Sequence, residues 1–325
     1  MNAEIQALES NHTWVLTELP PNKNAIGCRW VYKIKHRADS PTIFYAILVY
    51  VDDIVLTGND LTEIKTITNL LDLTFKIKDL GDLKFFLGFE VSRTKAGINL
   101  CQRKYALDIL RDTGMIGSKP VSTPNDYTTK LHQHSGSPLC DSDASSYRRL
   151  IGRLIYLTNT RPDITYAVQN LSQFVARPTT AHQQAASRIL RYIKSSLGAG
   201  LIFPASNTLQ LKAFSDSDWA GCLDTRRSIT GYAVYLGSSL ISWKSKKQAT
   251  VSRSSSKAEY RAMASVVCEL QWLTYLLQDF RVSFIQPSTL YCDNRSALHI
   301  AANPVFHERT KHIEIDCHIV REKAL

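Results

Sequence analysis

The sequence predicts a mixed α+β or α/β protein of several modules, and three observations support this fold class. Strand-like alternation of apolar residues recurs along the chain, from its first third to its last. The stretch at residues 254–280 has instead the apolar spacing of one long helix. With 325 residues, 44% of them hydrophobic, the chain is long enough to bury sizeable cores in two or three modules.

Breaks in these patterns divide the chain into four regions: residues 1–40, 41–125, 126–205 and 206–325. The first region contains a short amphipathic segment and two strand-like segments, and the second combines strands with a helix expected at 61–73. Prolines and a polar stretch predict a linker at the start of the third region. A basic, mostly helical stretch at 144–198 follows, and we expect the last domain to open at Gly198 and Gly200.

The last region predicts the order strand, strand, strand, helix, strand, helix. These elements are expected at residues 209–214, 229–236, 240–243, 254–280, 290–293 and 295–302. The apolar positions of the long helix follow the 4, 4, 3, 4 spacing of one buried face. They are Ala262, Val266, Leu270, Leu273 and Leu277.

The adjacent acids Asp52 and Asp53 lie between apolar runs at 44–49 and 54–56. Two carboxylates at the tip of two strands would lie about 4 to 5 Å apart and repel, unless cations neutralise them. This placement suggests a metal site. Because Asp also favours turns, an ordinary polar hairpin turn is the alternative.

The flanks of this pair carry a family resemblance. The segment LVYVDDIVLTG at residues 48–58 closely resembles the catalytic palm hairpin of the reverse transcriptases of copia-type LTR retrotransposons. Further motifs follow in that family's order: LGDLKFFLG at 80–88 (primer grip), QRKY at 102–105 (thumb), YRRLIG at 147–152, TRPDI at 160–164, DSDWAG at 216–221, SWKSKKQ at 242–248 and HERTKH at 307–312. The resemblance covers nearly the whole chain.

The resemblance implies a partial reverse-transcriptase palm and thumb, followed by a ribonuclease H-like mixed-sheet domain with helices. Residues 1–40 would be a remnant of the fingers, 41–125 the palm hairpin, primer grip and thumb, 126–205 a linker and basic helical connection, and 206–325 an incomplete ribonuclease H-like domain. The ancestral activities would be RNA-directed DNA synthesis and cleavage of the RNA strand in RNA·DNA hybrids. Asp52 and Asp53 would have held the polymerase metals.

Ribonuclease H chemistry needs carboxylates that converge on two Mg²⁺ or Mn²⁺ ions. The resemblance assigns this role to Asp216, Glu259 and Asp293, with Asp218 as a second candidate for the first position. Each of these acids also has a non-catalytic alternative. Glu259 could form a capping box with Ser256, Asp293 could cap the next helix, and the acids at 216 and 218 could be loop residues.

Charge points to a polyanion as partner. The formal net charge is +10, and residues 148–194 and 225–258 are almost entirely one-signed, with Asp163 the single acid in the two stretches. Such tracts favour an RNA·DNA hybrid or duplex nucleic acid. The candidate contacts are Arg148, Arg149, Arg153, Arg188, Arg191, Lys244, Lys246, Lys247 and Arg253.

The seven cysteines form no CxxC pair, which predicts reduced thiols. A zinc site from His307, His312, Cys317 and His318 fits no standard finger spacing; a helix near a nucleic-acid surface is the alternative. The longest apolar stretch, at 43–51, is far shorter than the roughly 20 residues of a membrane span, so we expect a soluble intracellular protein without a signal peptide.

Two departures from the family pattern bear on activity. At Ser40-Pro41 the chain passes almost directly from a fingers-like segment to the Asp-Asp hairpin, so the first palm aspartate is missing and polymerase activity is not expected. The chain also ends at Leu325, before the family's fourth nuclease acid, for which Glu314 or Asp316 could substitute. The alternatives to a residual nuclease are a non-catalytic nucleic-acid-binding module and a genomic relic that does not fold.

Overall fold

The computed structural model describes residues 31–36, 44–126, 128–282, 286–302 and 314–323. The chain forms two compact units, an N-terminal unit, Met1–Lys76, and a C-terminal unit, Ile77–Leu325. The described residues contain three sheets and eight α-helices, so the predicted mixed α/β class is confirmed. No helix in these ranges is long and apolar enough to cross a membrane.

The described residues of the N-terminal unit, 31–36 and 44–76, contain one antiparallel sheet and one helix. The sheet has the order β1 (Val31–His36), β2 (Phe44–Tyr50) and β3 (Asp53–Gly58). The helix α1 (Leu61–Phe75) begins where the Asp60 side chain accepts hydrogen bonds from the backbone N–H groups of Thr62 and Glu63. It confirms the helix expected at 61–73. All of α1 is described and none of its residues is buried, so α1 contributes little packing energy.

The C-terminal unit begins with a four-stranded antiparallel sheet. Its strands, in order, are β4 (Phe85–Phe86), β5 (Phe89–Thr94), β6 (Gly97–Cys101) and β7 (Gly200–Pro204). The expectation that the last domain opens at Gly198 and Gly200 is wrong, because β7 pairs with β6 and places Gly200 opposite Cys101. A Cβ at Gly200 would lie 2.2 Å from the Leu100 carbonyl oxygen, so this close pairing requires glycine.

Four helices pack beside this sheet around the largest core. They are α2 (Arg103–Asp112), α3 (Asp141–Leu157), α4 (Thr165–Ser172) and α5 (Thr180–Ser195), joined in part by short 3₁₀ turns at Met115–Gly117 and Pro162–Ile164. Ile109, Leu154, Val168 and Ile189 are buried in that core. The helical stretch expected at 144–198 is therefore confirmed, with its first helix starting three residues earlier.

The second sheet of the C-terminal unit is mixed. Its order is β10 (Ser239–Lys247), β9 (Ile229–Leu236), β8 (Leu211–Asp218) and β11 (Thr289–Cys292). Strand β9 is antiparallel to both β10 and β8, whereas β11 is parallel to β8. A parallel pair needs a crossover, which the helix α6 (Ser255–Asp279) supplies.

Helix α6 covers one face of this sheet. Val266, Leu270 and Leu273 pack against Leu211 and Ala213 of β8, which confirms the predicted apolar face. The last two helices are α7 (Arg295–Ala302) and α8 (Glu314–Lys323). Helix α8 is held by Cys317 and Val320, which pack with Tyr260 and Met263 of α6 in a second cluster. The predicted element order is confirmed, although β8 extends to Asp218 and β10 to Lys247.

Candidate functional site

The turn between β2 and β3 carries the adjacent acids predicted from sequence. Tyr50 pairs with Asp53, so Val51 and Asp52 form a two-residue loop. Val51 has φ 54°, an unfavourable conformation for a β-branched residue. Both aspartates are exposed. The turn is therefore a strained, solvent-facing tip, and such strain often accompanies a functional site.

The carboxylates of this turn gain no third ligand among the described residues. The only group of three His, Cys, Asp or Glu side chains close enough to hold one metal ion, within those ranges, lies elsewhere. The acids Glu4, Glu9, Glu18 and Asp39 of the N-terminal segment lie outside the described residues. Asp52 and Asp53 thus form a two-carboxylate pair in this part of the structure.

The C-terminal unit brings three of the predicted acids to one place. The parallel register sets Cys292 of β11 opposite Ser215 of β8, so Asp293 follows beside Asp216. On α6, Glu259 is 6% exposed, and its Oε1 accepts a hydrogen bond of 3.1 Å from the backbone N–H of Ser217. Asp216 in β8, Asp293 directly after β11 and Glu259 on α6 therefore converge, as the crossover topology allows.

The group that meets the geometric requirement for a metal is Glu259, Cys292 and Asp293. Their ligand atoms all lie within 4.8 Å of one another. Burial, then the negative charge of Asp216 and finally that of Asp293, raise the pKa of Glu259 to about 7, against the opposing hydrogen bond from Ser217. The second oxygen of Glu259, Oε2, is buried without a hydrogen-bond partner. A cation would relieve both the repulsion and the missing partner.

The structure does not show the capping-box, helix-cap and loop roles considered for these acids. Helix α6 begins at Ser255, so Glu259 lies beyond its first turn. Its carboxylate accepts from the backbone N–H of Ser217 on β8, so Glu259 is not part of a capping box. Asn294, not Asp293, caps α7, since its Oδ1 accepts from the backbone N–H of Ala297 at 2.9 Å. Asp216 and Asp218 belong to β8 and are not loop residues.

Asp218 lies apart from the three-residue group. It lines a cavity of about 330 Å³ together with Lys130, Trp219 and Cys222. Burial and the negative charge of Asp216 raise the pKa of Asp218, and the positive charge of Lys130 opposes them. Asp218 therefore lines this cavity and is not part of the group of Glu259, Cys292 and Asp293.

Of the two substitutes considered for a fourth acid, the structure describes the side chain of Asp316. Its carboxylate oxygen lies 3.9 Å from Nε of Arg261, on the neighbouring helix. Asp316 is not in the group around Glu259. The side chain of Glu314 lies outside the described residues.

Sequence reasoning did not identify Cys292. It neighbours Asp293 at the end of β11, and side chains alternate along a strand, so Leu290 and Cys292 face α6 while Tyr291 is exposed. The sequence predicts that residue 292 lies at the end of a strand, and alternation then gives the face on which its side chain lies. It does not predict that this side chain is close to Glu259.

Several of the predicted nucleic-acid contacts bond within the protein. Nε of Arg148 donates to the Val175 carbonyl (2.8 Å), that of Arg188 to Thr123 (3.2 Å) and that of Arg191 to Lys119 (2.7 Å). Arginines of α3 and α5 thus fasten irregular segments of the chain. Arg153 forms an ion pair with Asp112 at 2.6 Å, and an NH2 group of Arg149 donates to Ser146 at 3.4 Å.

The basic residues of β10 are placed differently. Lys244 and Lys246 are exposed on alternate positions, and so is Arg253 just beyond the strand. Lys244 and Lys246 border a cleft of about 500 Å³ between β10 and the residues around Thr158 and Gln169. In this cleft, Nε1 of Trp243 donates to the Thr158 carbonyl at 3.1 Å. Lys247 is closer to the interior, 3.7 Å from Sγ of Cys222.

The histidines considered for zinc are only partly described. His307 and His312 lie outside the described residues. Cys317 is 1% exposed and packs in the core between α6 and α8. Its sulfur therefore serves packing in this structure.

Comparison with known proteins identifies the family. A family model described as reverse transcriptase (RNA-dependent DNA polymerase) matches residues 41–126. An uncharacterized mitochondrial protein of Arabidopsis thaliana is 46% identical over 226 residues, 70% of this chain and 93% of that protein. The retrovirus-related Pol polyprotein from transposon RE1 of Arabidopsis thaliana is 48% identical over 278 residues, 86% of this chain and 19% of that protein. The chain belongs to the copia-type retrotransposon Pol family.

Another Pol polyprotein supports this membership. That of transposon TNT 1-94 from Nicotiana tabacum is 35% identical over 286 residues, 86% of this chain and 21% of that protein. The chain spans about a fifth of the length of these Pol polyproteins. No solved structure matches. The reverse-transcriptase match contains the Asp52-Asp53 hairpin and begins at Pro41.

Proposed function

We propose that this chain is a reverse transcriptase/ribonuclease H fragment of a copia-type Pol protein, with metal-dependent cleavage of RNA in RNA·DNA hybrids as its remaining chemistry. The convergence of Glu259 and Asp293 beside Asp216 carries the proposal. The order β10-β9-β8-β11, with β11 parallel to β8 and α6 between them in sequence, supports a ribonuclease H-like assignment for residues 206–325. The division into fingers, palm and thumb, connection and nuclease regions belongs to the same proposal.

The residues present suit Mg²⁺ or Mn²⁺. Asp216, Glu259 and Asp293 offer carboxylate oxygens, the ligands that these hard cations prefer, and Oε2 of Glu259 has no other partner. When bound, two such ions activate a water molecule and stabilise the departing 3′ oxygen. The protein's own part is to hold three carboxylates at one site and to fix Glu259 through the N–H of Ser217.

The substrate proposed for this site is an RNA·DNA hybrid. Lys244, Lys246 and Arg253 are exposed around β10 and can contact phosphates without base readout. Arg148, Arg188 and Arg191 instead bond backbone carbonyls, so we assign them first to fold stability. Neutralising an exposed lysine should weaken hybrid binding and reduce its salt dependence.

The polymerase activity of the ancestor is proposed to be lost. Asp52 and Asp53 would have held its metal ions, but they gain no third carboxylate among the described residues. The reverse-transcriptase match also starts only at Pro41. Primer extension on an RNA template with Mg²⁺ tests this point: we expect no extension, and template-dependent synthesis would refute the loss.

Cleavage of a labelled RNA·DNA hybrid tests the nuclease. We expect cleavage with Mg²⁺ or Mn²⁺ and none with EDTA, and Asp216→Asn and Asp293→Asn should abolish it. Asp279→Asn is the matched control, since it makes the same change at an exposed position at the other end of α6. Metal-dependent cleavage that survives both site variants would refute the assigned residues, and a folded protein without cleavage would refute the activity.

A non-catalytic nucleic-acid-binding module is the second candidate. The exposed basic residues Lys244 and Lys246 on β10 and the net charge of +10 favour this function. Hybrid binding that falls with salt, without cleavage in either metal, would support this function. Binding that persists with cleavage would support the nuclease, so turnover and not affinity separates the two.

A further inference from the structure

Cys292 lies among the carboxylates of the proposed nuclease site, yet the function proposed above gives its sulfur no role. Its Sγ, one carboxylate oxygen of Glu259 and one of Asp293 lie within 4.8 Å of one another. A thiolate suits zinc and other thiophilic cations, whereas magnesium takes oxygen ligands. We propose that Glu259, Cys292 and Asp293 form a binding site for a thiophilic divalent cation of the zinc class.

The geometry suits a tetrahedral ion with one open position. Ligand atoms around a zinc ion stand roughly 3.5 Å apart, because zinc–ligand bonds are about 2.0 to 2.3 Å long. The ligand atoms of Glu259, Cys292 and Asp293 are at most 4.8 Å apart, so small side-chain rotations can bring them to the spacing that zinc needs. Three protein ligands and one water molecule are the usual set of an open zinc site.

A second observation points to a ligand at the same place. Glu259 is 6% exposed, and its Oε2 is buried without a hydrogen-bond partner. An unpaired buried carboxylate oxygen is costly, and a bound cation removes that cost. On the facing strand, Cys292 is partly buried against the cluster of Tyr260 and Met263, so its side chain is directed toward α6.

This site differs from the zinc set suggested by the sequence near the C-terminus. Cys317 of that set is buried in the core and packs against α6. The site around Cys292 instead includes an exposed carboxylate, Asp293, through which an ion can enter. When the thiol coordinates the cation, its proton is released to solvent.

Occupation by zinc has a regulatory consequence. A zinc ion bound to Glu259 and Asp293 occupies carboxylates that the magnesium ions need, and it should therefore inhibit hybrid cleavage. This inhibition rests on the proposed nuclease, whereas the binding of zinc does not. The two can therefore be tested by separate measurements.

Cobalt titration of the full chain tests the binding. With a phosphine reductant, Co²⁺ should give the near-ultraviolet charge-transfer absorption of a cobalt thiolate, and added Zn²⁺ should remove it. Cys292→Ser should lose the absorption. Cys268→Ser is the matched control, because Cys268 is an exposed thiol on α6, and it should keep the absorption. An absorption that survives in Cys292→Ser, or no absorption in the native chain, would overturn the proposal.

Alkylation of the native chain gives a readout that needs no variant. Iodoacetamide labelling, followed peptide by peptide with mass spectrometry, should be slowed about tenfold at Cys292 by saturating Zn²⁺, since a coordinated thiolate is shielded. The exposed Cys268 should react at an unchanged rate. Equal labelling of Cys292 with and without zinc would contradict the site.

Hybrid cleavage separates this inference from the proposed function. The ratio of rates with and without Zn²⁺, in excess Mg²⁺, should fall for the native chain and fall less for Cys292→Ser. The cobalt absorption without any cleavage would support the zinc site and refute the nuclease. Cleavage without the absorption would support the nuclease and refute the zinc site.

Discussion

The two acid-bearing regions of the chain hold their carboxylates in opposite ways. Asp52 and Asp53 are adjacent in sequence and exposed at the tip of one hairpin. Glu259 and Asp293 are distant in sequence and meet because α6 and β11 pack against the same strand, β8. The first region needs only a turn, whereas the second needs a folded sheet and its crossover.

This contrast shows that a carboxylate is stabilised by a cation more when it is buried than when it merely neighbours another acid in sequence. Glu259 is almost fully buried, carries an unpaired oxygen, and has its pKa raised to about 7 mainly by that burial. Solvent at the exposed hairpin can hydrate both aspartates. A site that retains metal should therefore be sought first around Glu259.

The largest expected effect separates the two regions directly. Glu259→Gln should lower the rate of hybrid cleavage roughly a thousandfold, because losing a metal ligand removes several kcal/mol of transition-state stabilisation. Asp52→Asn should leave that rate unchanged within about twofold, because Asp52 is not among the acids assigned to the proposed nuclease site. Initial rates at saturating Mg²⁺ measure both. An equal loss of cleavage rate in the two variants would contradict the assignment of metal binding to Glu259 and not to the hairpin.

The next effect concerns packing in the two units. Leu154→Ala, in the core of the C-terminal unit, should destabilise the chain by about 3 kcal/mol, since it leaves a cavity at a fully buried position. Leu73→Ala on α1 should change stability by less than about 0.5 kcal/mol, because that side chain is 72% exposed. Urea unfolding followed by circular dichroism measures each, and comparable losses would contradict the contrast.

Local periodicity explains what the sequence could predict. The buried face of α6, from Ala262 to Leu273, follows directly from helical spacing, and the N-cap at Asp60 marks the start of α1. The acids Asp216 and Asp293 were recognised through motifs at strand ends. Each of these signals lies within a short stretch of chain.

Contacts between distant segments explain what the sequence could not predict. The pairing of β7 with β6 joins strands separated by four helices, and no local pattern reports it. Cys292 could be assigned to a strand, but its distance from Glu259 depends on which strands are neighbours. From the sequence, Arg188 is predicted to contact nucleic acid. In the structure it donates to the carbonyl of Thr123, which the fold brings within reach of its long side chain.

A smaller effect tests the strain of the hairpin. Val51 adopts φ 54°, which disfavours a β-branched residue and is better tolerated by asparagine. Val51→Asn should therefore stabilise the hairpin by about 0.5 to 1 kcal/mol. Hydrogen exchange of a peptide covering β2 and β3 measures the change, with the exposed Val49→Asn as a control outside the turn. Faster exchange in Val51→Asn would show that the turn is not strained.

The smallest effect concerns His182, a fully buried group on the C-terminal unit. Its Nδ1 accepts from the backbone N–H of Thr179 at 3.1 Å, its Nε2 lies 3.2 Å from the His132 carbonyl oxygen, and its ring stacks on Phe174. Burial lowers the pKa of His182, and the charge of the neighbouring His132 acts in the same direction, while the His132 carbonyl and the negative charge of Asp224 oppose the shift. The folded protein therefore favours the neutral ring more than the unfolded chain does.

Because the pKa of His182 is lower in the folded state, the unfolded chain binds the proton more readily. The stabilising contribution is complete above the unfolded pKa of about 6.5 and is lost as the pH falls from there through the folded pKa. Melting temperatures between pH 8 and pH 5 should fall more steeply for the native chain than for His182→Asn, which keeps an acceptor for Thr179 without a titratable ring. Parallel pH profiles would show that the burial of this ring adds nothing to acid sensitivity.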